Sequence, residues 1–450
     1  MEWTLAIAAA TLLGVAAMSR LLTGTPVTPA MVFTVVGLIF GPLVLGDIDP
    51  STSSSTVRSL AEATLALVLF SDAARIDLGK LRQERALPVR LLGIGLPLTI
   101  VAGVVAAGVI FPDLSVTEAL VLAIVLAPTD AALGQTVVTN VRVPDRIREA
   151  LNVEGGLNDG ICVPLLLIVL AAAEAESHTT GGHAFKIVVE EIGYGLLAGV
   201  GVGALVAAVI VYAGGRKLIA PSWLQTVTVA GAFLAYGVAA ALGGSGFIGA
   251  FVAGMTFGHL VRRDTEPLTV FTEDFGQLLD GLTFIMFGAV LLGPVLQDLH
   301  WSAVLYGLLS LTIVRMIPVG LALIGTHARW PTVAFLGWFG PRGLASIVFA
   351  VIVVEDSHLP QVGTILSATY VTIGLSVLLH GLTASSLADR YARWFRSHPK
   401  DERPAMEAKP TEIGRVRGPA TVAVVGDSAL TAPDGQPGWV DPPAAVGPSG

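Results

Sequence analysis

The sequence predicts an all-α, polytopic membrane protein of about 13 transmembrane helices, built as two inverted six-helix repeats with two broken, crossing helices. Three observations predict it. Only 13% of the 450 residues are charged and 53% are hydrophobic, whereas a soluble domain carries roughly 25% charged residues. Apolar stretches of spanning length recur along the whole chain, and the basic residues between them collect in alternate loops.

A spanning helix needs roughly 20 mostly apolar residues, and breaks at Pro, Gly and charge clusters divide the chain into segments near 3–22, 27–46, 57–76, 87–111, 116–140, 148–173, 186–213, 222–242, 245–260, 269–295, 301–325, 331–354 and 361–387. The first follows Glu2, not a basic leader region, so it reads as a span and not as a cleaved signal. The third holds Glu62 and Asp72, the ninth is short, and the tenth holds Glu273, Asp274 and Asp280. The fifth and twelfth contain Pro128 and Pro341 at mid-depth. Small residues recur every fourth position in the seventh (Gly195, Gly199, Gly203) and ninth (Gly246, Ala250, Gly254, Gly258), a spacing that lets helices approach closely in lipid.

Positive charge in short loops stays on the cytoplasmic side. One alternate set of loops carries Arg20; Arg75, Lys80, Arg82, Arg85 and Arg90; Arg142, Arg146 and Arg148; Arg216 and Lys217; Arg262 and Arg263; and Arg329. The opposite set carries only Arg58 and Lys186. The N-terminus is therefore expected outside and the C-terminus in the cytoplasm. Residues 1–387 form the expected membrane domain. The Pro- and Gly-rich stretch 388–450 cannot bury enough apolar surface to repay ordering, so it is expected to be a mostly disordered cytoplasmic tail.

Several function classes fall away. The net charge is −8 and no dense basic stripe is present, so nucleic acid is not an expected partner. A single cysteine, Cys162, excludes an intrachain disulfide, and no Cys/His cluster has zinc spacing. No cofactor is expected.

The informative residues are ionisable groups deep inside spans, each costing about 2.5–3.5 kcal/mol at a helix centre. Asp130, Asp159, Arg315 and Arg342 all fall near the midplane, Glu154 lies nearer the cytoplasm, and Asp72 sits in the inner half of the third span. Two of these charges occur where the helix should fail, in L-A-P-T-D and in G-P-R-G-L, because Pro removes a backbone donor and clashes with the preceding turn. Unwound backbone at that depth is tolerated only inside protein or against water, and a matched pair of interrupted helices points to a transporter's binding site. If spans one to six and eight to thirteen are the repeats, the fifth pairs with the twelfth. In the sixth span, E-G-G-L-N-D-G places Glu154 and Asn158 on one face, with Asp159 beside them. Four acids against two bases leave a negative excess that calls for a cation or protons. Carboxylate, amide and hydroxyl oxygens suit hard cations, whereas transition metals would want His or Cys.

The ordered set P-T-D, E-G-G-L-N-D-G, I-V-R and G-P-R-G-L resembles the sodium/proton exchanger branch of the monovalent cation:proton antiporters, of the bacterial NhaP-like type, over about residues 1–390. The resemblance implies a multi-pass plasma-membrane homodimer, not an enzyme, exchanging Na⁺, K⁺ or Li⁺ for H⁺ electroneutrally. It implies that Asp159 is the carboxylate alternately holding cation or proton, that Asn158 marks the electroneutral type, and that Thr129 and Asp130 form the unwound crossover beside it. Glu154 is implied to pair structurally with Arg342, and Arg315 to modulate the site from the eleventh span. The chain departs from the family pattern at Gly155, where a Ser is usual, leaving only a backbone carbonyl as ligand. It departs again in the third span, where L-F-S-D leaves Ser71 and Asp72 as alternative ion contacts.

A cation-coupled solute symporter and a channel would share this helical shell. An intramembrane aspartyl protease would need Y-D and G-x-G-D signatures, but Asp130 follows Thr129 and Asp159 follows Asn158. Asp280 is a candidate polar wall of the cavity. His380 titrates in the physiological range when unperturbed, yet packing is the commoner role for such a residue.

The charge pattern makes a direct prediction. On a Cys162→Ala background, Arg142→Cys should react with a membrane-impermeant maleimide only from the cytoplasmic side and Asp113→Cys only from outside; the reverse labelling would invert the topology.

Overall fold

In the computed structural model, residues 2–22, 25–46, 50–76, 86–177, 181–216, 218–261, 266–356, 359–398 and 404–408 are described. Among them, helices occupy every predicted apolar segment and no strand occurs. Seven helices are long and apolar enough to cross a bilayer, and five shorter apolar ones lie between them.

The first three are α1 (Glu2–Leu22), α2 (Pro29–Phe40) and α3 (Pro50–Arg75). Thr28 caps α2 through a hydrogen bond from the Met31 amide, and Pro29 takes the first position, where its missing N–H costs nothing. α4 (Ala86–Ile110) is one rod with a π-helical turn at Leu91–Gly95. α5 (Val116–Val125) starts in a capping box of Ser115 and Glu118. It stops before Pro128, and the chain resumes only as the short α6 (Gln135–Val138). α7 (Asp145–Ser177), α8 (Gly181–Ala208), α9 (Thr226–Ala241), α10 (Gly246–Val261) and α11 (Glu266–Met286) follow.

The eleventh predicted span divides at Thr312 into α12 (Trp301–Leu311) and α13 (Ile313–Ala322), a break the sequence did not announce. The twelfth is interrupted as predicted, α14 (Trp330–Trp338) ending before Pro341 and α15 (Leu344–Asp356) starting after Gly343. α16 (Val362–Arg396) closes the set. It runs past Leu387, with Ala388, Tyr391 and Phe395 buried, so the expected domain boundary falls inside a helix. The physical reason is that Arg390, Arg393 and Arg396 alternate with these apolar residues at helical spacing. Residues 404–408 also lie against the bundle: Glu407 Oε1 accepts hydrogen bonds from the Arg329 amide (3.0 Å) and the Thr332 hydroxyl (2.6 Å). Residues 409–450 lie outside the described residues.

The helices pack as two groups. α1, α2, α3, α8, α9, α10 and α11 form one, with α10 lying along both α3 and α8. α4, α5, α7 and α12 to α16 form the other. Close approach in the first group depends on the small-residue spacing. A Cβ on Gly254 would lie 2.2 Å from the Phe70 carbonyl oxygen, and one on Gly258 2.2 Å from that of Ala74. Both obstacles are backbone, so the helices themselves would have to part. The suspect acids of the tenth span are also explained in part: Glu273 on α11 forms a buried ion pair with Arg75, the last residue of α3. Arg75 was expected in a loop; the pairing holds it inside the protein.

Gly254→Val should therefore lower the unfolding temperature of the purified protein by the equivalent of about 1–3 kcal/mol. Gly237→Ala, whose added Cβ meets nothing within 4 Å, should leave it unchanged.

Candidate ion-binding site

The two interrupted spans cross in the second helix group, and each break supplies what the other lacks. The backbone amide of Asp130 donates to the Pro341 carbonyl at 2.7 Å. The Asp130 carboxylate accepts through Oδ1 from the amides of Ala132 (2.7 Å) and Leu133 (3.2 Å), and through Oδ2 from the amide of Leu344 (3.0 Å). A negative charge thus sits on the N-terminus of α15, where the unpaired amides make the helix end positive. In the opposite sense, Arg342 Nη1 donates to the carbonyls of Ala127 (2.6 Å) and Pro128 (2.9 Å), just beyond the C-terminal end of α5. The Ser346 hydroxyl donates to the Val125 carbonyl at 2.7 Å. Arg342 is fully buried and Asp130 nearly so.

Glycine is required where these groups meet. A Cβ on Gly343 would lie 2.1 Å from Asp130 Oδ2, and one on Gly340 would lie 2.5 Å from Arg315 Nε. The G-P-R-G run therefore leaves room for a carboxylate on one side and a guanidinium on the other.

α7 brings three predicted residues beside the crossing. Asn158 Nδ2 donates to Thr129 Oγ1 at 2.5 Å, and Asn158 Oδ1 is buried with no hydrogen-bond partner among the described residues. Glu154 pairs with Arg315 of α13, Nη2 to Oε1 at 2.5 Å, both side chains almost fully buried. This corrects the expected pairing of Glu154 with Arg342. Arg342 is held by the carbonyls at the α5 break, which the sequence could not show to be exposed there, and Arg315 is left to neutralise Glu154.

Asp159 lines a narrow cleft together with Asp72, Asp130, Asp280, Val68 and Leu344. Of the two alternatives in the third span, Asp72 reaches this cleft; Ser71 is buried and is not among its lining residues. Asp280 lines it as well. Thr129 and Gly155 line a second narrow crevice across the crossing, with Asp130 belonging to both. Gly155 stands off the Asp159 cleft, its position facing Ala131 and the Thr129 carbonyl. Among the described residues no group of His, Cys, Asp and Glu is arranged to hold a metal in the manner of a dedicated site.

The sodium/hydrogen exchanger, transmembrane, family profile matches residues 7–390. The chain belongs to this family. As in other sodium/hydrogen exchangers, it is a multi-pass membrane protein, and it is similar to the K(+)/H(+) antiporter NhaP of Alkalimonas amylolytica (25% identity over 390 residues, 85% of this chain and 64% of the relative). It is also similar to a probable Na(+)/H(+) antiporter of Schizosaccharomyces pombe (26% over 340 residues, 71% of this chain and 44% of the relative). The chain therefore spans less than two thirds of the length of these relatives. The solved sodium proton antiporter MjNhaP1 from Methanocaldococcus jannaschii superposes with a TM-score of 0.71 over 84% of this chain and 98% of that one; at 19% identity the likeness shows a shared exchanger fold.

The geometry separates the two possible partners of Glu154. Glu154→Ala should cost roughly 3–5 kcal/mol by stranding a buried charge. The double variant Glu154→Ala/Arg315→Met should recover much of that in thermal unfolding, and Glu154→Ala/Arg342→Met should not. The opposite pattern would restore the Glu154 and Arg342 pairing.

Proposed function

We propose that this exchanger trades one monovalent cation, Na⁺ or another alkali ion, for one proton across the plasma membrane by competition of the two for Asp159. The observation that carries the reading is the position of the Asp159 cleft between the two helix groups. Asp72 and Asp280 come from α3 and α11 of the first group, and Asp130 and Asp159 belong to the second. Movement of one group against the other would alter which carboxylates face one another, as alternating access around a fixed site requires. Asp130 carries three backbone hydrogen bonds that hold its carboxylate in place at the crossing. In this reading Asp159 is the acid whose proton is exchanged. Asn158 Oδ1 and the Thr129 hydroxyl are neutral oxygens suited to an alkali ion; Ser71 Oγ, buried without a hydrogen-bond partner among the described residues, is another in the same span as Asp72. The Gly155 carbonyl would act from the far side of the crossing.

Loaded with either ion, Asp159 is neutralised and the groups can slide; empty, its charge in low dielectric opposes movement. The same reading places the N-terminus outside and the C-terminus in the cytoplasm, makes the two six-span halves inverted repeats joined by the seventh predicted span, and makes the working unit a homodimer.

In liposomes with an imposed pH gradient, wild-type protein should collapse the gradient on addition of Na⁺, K⁺ or Li⁺, at a rate unaffected by an imposed membrane potential. Asp159→Ala should abolish the response while retaining the wild-type yield of folded protein. A cation-dependent response that survives Asp159→Ala would overturn the assignment, and single-channel currents would overturn exchange itself.

A further inference from the structure

Each broken span is held by side chains from the span that follows it in sequence. In the first half this is Asn158 of α7 on Thr129. In the second half, α16 contributes Ser376 and His380, four residues apart and therefore on one face. Ser376 Oγ accepts from the Arg342 amide at 2.6 Å. His380 Nε2 lies 2.9 Å from the carbonyl oxygen of Trp338, the last residue of α14; in the tautomer with the proton on Nε2 it donates to that carbonyl and leaves Nδ1 to accept from the Ser376 hydroxyl. Nδ1 lies 3.0 Å from the Ser376 carbonyl and 3.3 Å from its hydroxyl. The ring stacks on the Trp338 indole with centroids 5.1 Å apart, and the indole nitrogen donates to Thr383 Oγ1 at 3.0 Å. His380 itself is 2% exposed, so its ring is shielded from bulk water.

We propose that Ser376 and His380 are positioning residues for ion exchange: they hold the two ends of the 339–343 break, so that Arg342 stays on the α5 carbonyls and the Leu344 amide stays on Asp130. The last carbonyls of α14 have no intrahelical donor; the Trp338 carbonyl, which begins the break, accepts from the Gly340 amide at 2.8 Å, and His380 supplies a second donor there from α16. Ser376 accepts from the first amide beyond Pro341. Together they define the length of the gap into which Asp130 fits. The transport consequence rests on the exchange reading above; the structural consequence does not.

The test uses the full chain with His380→Phe, which keeps the ring stack and removes the hydrogen bonds, and His380→Gln, whose amide can still donate to Trp338. Hydrogen exchange read by mass spectrometry should rise at the amides of 340–344 by roughly fivefold in His380→Phe, the scale of one lost hydrogen bond, and stay within twofold of wild type in His380→Gln. Ser376→Ala should raise exchange over the same stretch, so a His380→Phe protein that fails to fold leaves the idea exposed to disproof. In liposomes, His380→Phe should raise the apparent KM for the cation at least severalfold, with His380→Gln restoring it. Unchanged exchange at 340–344 in both His380→Phe and Ser376→Ala would overturn the proposal. So would equal transport by His380→Phe and His380→Gln in vesicles where wild type is active. Wild-type protein that moves no cation would instead refute the exchange reading, leaving the hydrogen-exchange result to decide this one.

Discussion

The structure depends on the reciprocal neutralisation of two broken helix ends buried at membrane depth. Interrupting a helix there exposes amides on one side and carbonyls on the other, and each unsatisfied group in hydrocarbon costs several kcal/mol. Two breaks placed against each other solve this together. Asp130, carried by the fifth-span break, serves the amide of Leu344 at the start of α15, while Arg342, carried by the twelfth-span break, serves the Ala127 and Pro128 carbonyls beyond α5. Neither arrangement works alone, since each charge would then be a buried ion without its compensating dipole.

The surrounding charges follow from that constraint. With Arg342 committed to carbonyls, Glu154 requires another partner and finds Arg315; Asp130, committed to amides, shares its cleft with Asp159. The glycines at 340 and 343 are then a consequence of crowding. They leave the volume that the Arg315 guanidinium and the Asp130 carboxylate occupy. The cleft itself is placed at the seam between helix groups, where Asp72 and Asp280 face the crossing residues.

Much of this was legible in the sequence because membranes make polar placement costly and therefore informative. The apolar segments, both Pro-centred breaks and the grouping of Asp130, Asn158 and Asp159 all follow from hydropathy, from proline chemistry and from helical spacing. The glycine spacing in the seventh and ninth predicted spans was equally readable, and it packs as such spacing should, Gly254 and Gly258 against the backbone of α3. The partners of the buried charges were not readable. Whether Arg315 or Arg342 meets Glu154 depends on how α13 rotates and on which carbonyls the α5 break presents, and both are set by packing between segments nearly two hundred residues apart. The Arg75 and Glu273 pair escaped for the same reason: each looked like a separate loop or span charge. The break at Thr312 has no proline or glycine to announce it.

Local physics thus determined from the sequence alone that this chain spans the membrane many times, that two of its helices fail at mid-depth, and that carboxylates gather near the failures. A bilayer penalises every unpaired polar group, so a polar residue in an apolar run is a signal that survives without any tertiary information. Only the tertiary structure decided which charge answers which helix end, that Asp72 reaches the cleft where Ser71 is not among its lining residues, and that Ser376 and His380 hold the second break. Those choices turn on side-chain direction and on distances of two to three ångströms between elements, and sequence spacing carries neither.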